Sequence, residues 1–158
     1  MRVYERCVSH QMPLFVSSID ALGGAGGGDA VMEFGRPLLL DEVARAFPSL
    51  PIVIGKLGFP WIDEALLLLG KHRNVFADIA GVASRPWQLY NALLTASSLG
   101  VMDKLLFASG FPFDTPESAI EALYSINQLA QGTNLPVVPR EALRGIVERD
   151  TLSLLGLG

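Results

Sequence analysis

The chain has one cysteine, Cys7, and two histidines, His10 and His72. A lone thiol excludes an internal disulfide and fits a reducing, cytoplasmic compartment. Two imidazoles are too few to build a histidine metal centre. Charge is also scarce, at 18% of residues with a net of −4. No cluster of Lys and Arg stands out, which argues against nucleic acid as a partner. No apolar run approaches the roughly 20 residues that a spanning helix needs, so no membrane span is expected. No basic segment precedes an apolar one at Met1, so no signal peptide is expected either.

Apolar residues are what the chain does have. They make up 50% of its 158 positions, and the mean hydropathy of +0.38 is high for a soluble monomer. That much apolarity without a membrane span implies buried parallel strands and a buried interface. The length suffices for one domain with a sizeable core.

The stretch Leu105-Leu106-Phe107-Ala108-Ser109-Gly110-Phe111-Pro112-Phe113 organises the rest. It opens as an apolar run without alternation, the pattern of a parallel strand covered on both faces. It breaks at Ser109-Gly110 and turns at Phe111-Pro112. Thr115 or Asp114 can cap the next helix, with Pro116 near its first position. A second copy lies 52 residues earlier, where Pro51 to Ile54 leads into Gly58-Phe59-Pro60-Trp61. Two strand-loop-helix units thus end in nearly the same loop, and both loops are expected to face one mouth. In α/β folds the carboxyl ends of the strands are where ligands are handled.

The remaining segments show the same alternation. Residues 2–11 carry Val3, Cys7 and Val8 at helical spacing, and a strand is expected next, at 13–17. The glycine tract of about 22–30 is expected to be a mobile loop. It matches neither a dinucleotide fingerprint nor a P-loop. Residues 37–47 read as a helix with Leu38, Leu39, Val43 and Ala46 on its apolar face, stopped by Pro48. Strands are expected at 52–54, 74–79 and from 105. Helices are expected at about 62–72, 86–99, 116–129 and 139–155. The fold class is α/β, with four βα units joined by right-handed crossovers in a single domain over 1–158.

In order, spacing and local words the sequence resembles the amidohydrolase-related family, metal-dependent hydrolases and decarboxylases built on a TIM barrel. It resembles that barrel's second half: 13–17 is similar to the fifth strand, 36–58 to the helix leading into the sixth, 74–81 to the seventh strand and 103–112 to the eighth. The resemblance implies a bound zinc or other divalent metal, yet the matching ligand positions differ. The family's His-x-His pair on the first strand has no counterpart. Ser17, or Val16, stands where a histidine ends the fifth strand. Lys56-Leu57-Gly58 replaces His-x-Gly, and Ala108-Ser109-Gly110 replaces Gly-Ser-Asp. A catalytic metal needs about three ligands among imidazole, carboxylate and thiolate, and these positions supply none, so no metal is expected. The expectation is a family member without that activity, acting in binding or assembly. The alternative is an active hydrolase or lyase on a small carboxylate, with a site completed by a second chain.

Lys56 and Asp78 are the candidates for any chemistry. Lys56 can place positive charge where the metal would sit and hold a small anionic ligand, oriented by Asp78; a solvated loop lysine is the simpler reading. Asp78 at a strand end also suits the bonding of backbone amides. Ser17, Ser109 and Trp61 complete the candidate ligand-binding set. No activating histidine stands near either serine in sequence, and Trp61 and Trp87 suit core packing or loop anchoring. His10 and His72 read as helix-end residues and Cys7 as core.

Four βα units do not close a barrel. Their lining face of Leu, Ile, Val and Phe would be an apolar patch larger than monomers tolerate. A homodimer, in which the last strand of each chain pairs with the first strand of the other, rebuilds eight strands. A partner chain carrying the other half would do the same, and a flat doubly wound sheet is a third solution.

Overall fold

The computed structural model describes residues 2–17 and 31–158. The loop expected at about 22–30 lies outside them. In chain order the elements are α1 (Arg2–Ser9), β1 (Leu14–Ser17), α2 (Asp41–Ala46), β2 (Ile52–Gly55), α3 (Ile62–Lys71), β3 (Val75–Asp78), α4 (Pro86–Ser98), β4 (Leu105–Leu106), α5 (Pro116–Ser125), α6 (Arg140–Glu148) and α7 (Thr151–Leu154). The four strands form one parallel sheet in the order β1-β2-β3-β4. Sequential parallel order with a helix between each pair of neighbours is the α/β architecture expected from the alternation.

Alternate strand residues divide the sheet into two faces. Ile52, Ile54, Val75, Ala77 and Leu105 point to the helices, where they meet Leu66 and Leu69 of α3, Leu89 and Leu93 of α4, and Ile146 of α6 in the main core. Phe15, Val53, Phe76 and Leu106 line the other face. That face is less bare than expected. Val53, Phe76 and Leu106 form a second buried cluster with Leu155, just after α7. Phe15 remains 62% exposed on the β1 edge.

Four expected elements are revised; one is the helix expected at 116–129, which ends at Ser125 and passes into a 3₁₀ turn, Ile126–Ala130. Residues 37–47 begin as a 3₁₀ turn, Pro37–Leu40, before α2. The tighter turn rotates the residues after it, so Pro37, Leu40 and Ala44 are buried while Leu38, Leu39 and Ala46 are exposed. The single helix expected at 139–155 breaks at Arg149-Asp150. Arg149 donates to the carbonyls of Asp103 and, at 2.8 Å, Leu105. Asp150 caps α7 by accepting from the Ser153 amide at 3.1 Å. These bonds compete with continuation of the helix and turn Leu155 onto the sheet. β4 is shorter than expected, and its pairing stops where the chain enters the Ser109-Gly110 loop.

Polar side chains fasten the amino-terminal ends of the strands. Asn74 donates to the carbonyls of Phe47, at 3.0 Å, and Leu50, at 2.9 Å. Lys104 Nζ donates to the carbonyls of Leu69, at 2.7 Å, and His72. Buried carbonyls are thereby satisfied, and the opposite ends of the strands carry the loops. Among the described residues no helix is long and apolar enough to cross a membrane.

Candidate functional site at the strand ends

β1 and β2 run in register, with Ser17 opposite Gly55. A side chain at position 55 would begin 3.2 Å from the Ser17 Cα, so glycine permits this approach. The chain then turns through three left-handed residues, Lys56, Leu57 and Gly58, at φ of +54°, +51° and +68°. At Gly58 a Cβ would lie 2.6 Å from Pro37 Cγ and 2.9 Å from Ala65 Cβ. The turn is thus wedged between the segment before α2 and the start of α3, and only glycine fits there.

Asp78 ties this turn to the end of β3. Its Oδ1 accepts the Lys56 amide at 2.9 Å and the Ala80 amide at 3.0 Å. Burial pushes its carboxyl above the usual carboxylate range, while the two amides and then the Lys56 charge pull it back down. The expectation that this carboxylate bonds backbone amides matches the structure. Ser109 Oγ accepts the Phe111 amide at 3.3 Å and shapes the turn after β4.

The two Gly-Phe-Pro loops open on one cleft, as their repetition implies. Both contain a cis proline, at Phe59-Pro60 and Phe111-Pro112. The cleft holds about 230 Å³, and its lining includes Lys56, Phe59, Gly81, Arg85, Gly110 and Asp114. Arg85 stacks its guanidinium 4.6 Å from the Phe59 ring centroid. Gly81 and Gly110, at φ of +65° and +83°, bring bare backbone to the floor. Two cations and one carboxylate face this space, so its chemistry suits an anion.

Sequence reasoning passed over Arg85, which no motif marks. Its one signal was position, a basic residue just before the proline that starts α4. Trp61 does not belong to this cleft. It lies with Trp87, Asp63 and Glu64 in a separate cleft of about 490 Å³ between the starts of α3 and α4. Trp87 is 57% exposed and so is not a core residue. His72 sits 2.7 Å from Asp41, which also pairs with Lys71. His10 is exposed, and Cys7 is half-buried against the core.

Among the described residues no three His, Cys, Asp or Glu side chains converge. The strand ends present a hydroxyl at Ser17, an ammonium at Lys56 and a carboxylate at Asp78 whose Oδ1 already serves two amides. Among the described residues these donors do not suit a divalent ion.

A family model described as Amidohydrolase matches residues 1–149. No curated protein matches the chain. Among solved structures, an uncharacterized TIM-barrel protein from Bordetella bronchiseptica is 18% identical with a TM-score of 0.66, over 99% of this chain and 50% of that one. The 5-carboxyvanillate decarboxylase of Sphingomonas paucimobilis is 16% identical with a TM-score of 0.60, over 99% of this chain and 52% of that one. The chain spans about half the length of both. Their likeness shows a fold of four barrel-type strand-helix units.

Proposed function

This chain belongs to the amidohydrolase family, and from that premise we propose that it binds a small organic carboxylate in the strand-end cleft, held by side chains rather than by a metal. Lys56 and Arg85 supply the charge, and the glycine floor lets the anion approach backbone. The observation that carries this reading is that two cations, Lys56 and Arg85, line one cleft with Gly81 and Gly110 and a single carboxylate, Asp114, at the mouth where barrel folds handle ligands. Substrate turnover by the family's metal chemistry is not part of the reading, because the donors at hand do not suit an ion. The protein then acts as a binding or assembly subunit in the cytoplasm.

A homodimer closing the barrel belongs to the same reading. It is supported by a four-stranded sheet whose two outer strands each have one unpaired edge among the described residues, and by Phe15 standing exposed on the β1 edge.

Calorimetric titration with glycolate and succinate tests the binding. Lys56→Met and Arg85→Gln are each expected to weaken it at least tenfold, a loss in the range of a charge-assisted hydrogen bond. Unchanged affinity in both variants rejects the site. The second reading is a hydrolase or lyase completed by a second chain. It is favoured by Asp78, a buried carboxyl held above the usual range at the mouth. Near-stoichiometric zinc or manganese in purified protein would move the balance to that reading.

A further inference from the structure

We propose that the ligand of this cleft carries a carbonyl beside its carboxylate, a 2-oxo acid, and that Lys56 captures it as an imine. The inference rests on the carboxylate reading above and goes one step past it, from charge to covalent chemistry.

Placement makes the case. The chain has three lysines. Lys71 is an exposed surface residue paired with Asp41 at 2.6 Å. Lys104 is tied to two carbonyls at the far end of the strands. Lys56 alone of the three lines the cleft, and it does so from a left-handed backbone at φ +54° that a lysine rarely adopts. Asp78 holds it in that conformation through its amide. Strain of this kind, held by a buried partner, is concentrated at functional sites. The lysine stem runs over Gly81, where a Cβ would lie 3.8 Å from Cδ and 3.9 Å from Cγ. The absence of a side chain there leaves room for a ligand against the stem.

The other groups fit the parts of such a ligand. Arg85, steadied on Phe59, suits the carboxylate. The cleft's 230 Å³ falls below the roughly 300–1,000 Å³ of drug-sized pockets, which favours a molecule of a few heavy atoms. Once the ammonium has released a proton to water, Nζ adds its lone pair to the carbonyl carbon, and the C=O π pair moves to oxygen. The carbinolamine then loses its hydroxyl, which leaves as water with one added proton, and a C=N bond remains. Water takes and returns the protons, and Asp78, whose Oδ1 accepts the Lys56 and Ala80 amides, is a positioning residue for the lysine backbone. No oxidant or reductant is needed.

Reductive trapping tests this. The full chain is incubated with glyoxylate and cyanoborohydride, then digested and mapped by mass spectrometry. A carboxymethyl group on Lys56, at least tenfold above that on Lys71 or Lys104, is the expected result. Lys56→Arg keeps the charge but cannot form the imine, so it is expected to bind glycolate and escape labelling. Arg85→Gln is expected to lower labelling at limiting glyoxylate. Equal or greater labelling of Lys71 or Lys104 overturns the proposal, and that comparison needs no variant. Glycolate binding without trapping at Lys56 overturns the imine and leaves the carboxylate site standing. Binding of neither compound removes both.

Discussion

At the scale of single residues Asp78 carries most of the weight. One oxygen accepts two backbone amides from two different loops, so its removal and its neutralisation should differ. Asp78→Ala leaves both amides without an acceptor and is expected to cost about 1–3 kcal/mol in urea unfolding. Asp78→Asn keeps a carbonyl oxygen there and is expected to stay within about 1 kcal/mol of the parent at neutral pH. The two also separate by pH. Burial raises the folded carboxyl above its unfolded value, so between those values the native state binds the extra proton. The parent's stability therefore falls as pH rises through that window and recovers below it. Relative to Asp78→Asn, the parent is expected to gain stability as pH drops from neutral into the carboxylate range. Asp41 works in the opposite direction: His72 and then Lys71 hold it below the usual range. Its contribution persists until the pH falls through that lowered value. An Asp78→Asn profile parallel to the parent's would show that Asp78 is not the titrating group. Asp78 was legible in the sequence because a carboxylate at a strand end has few other uses. Arg85 was not, since its stacking on Phe59 joins residues 26 apart.

Among the elements, the turn from β2 into α3 decides whether a site exists. Its three left-handed residues aim Lys56 at the cleft and Leu57 into the core. Gly58→Ala would put a methyl 2.6 Å from Pro37 Cγ while holding φ at +68°. Strain and overpacking of this kind each cost on the order of 1–3 kcal/mol. Thermal unfolding of Gly58→Ala is expected at a clearly lower midpoint, and glycolate affinity is expected to fall with it because the turn sets Lys56. A variant that unfolds like the parent would mean that the wedge gives way. The repeated Gly-Phe-Pro words made both loops legible. The break between α6 and α7 was hidden, because the apolar spacing runs across it. The bonds of Arg149 to carbonyls near β4 and the Asp150 cap end the helix there.

At the scale of the whole molecule the described residues present four parallel strands, and a barrel needs eight. Leu155, just after α7, covers part of the face that lines the barrel, and the outer edges of β1 and β4 are unpaired among the described residues. A homodimer formed by two such edges is expected to elute and scatter at twice 17.0 kDa. A charged residue on the inner face of β1, Phe15→Asp, is expected to shift it towards monomer while circular dichroism stays unchanged. A parent that is monomeric at high concentration would remove the dimer.

By itself the sequence determined the alternation of strand and helix, the parallel sheet, the family and the shared mouth, because these arise from local apolar runs and turn residues that short spacing records. Tertiary structure alone decided which side chains meet at that mouth. It brought Arg85 and Lys56 to one cleft, moved Trp61 to another and folded Leu155 onto the lining face. Each of these outcomes depends on packing between segments far apart in the chain, where a bond or a collision has no trace in neighbouring residues.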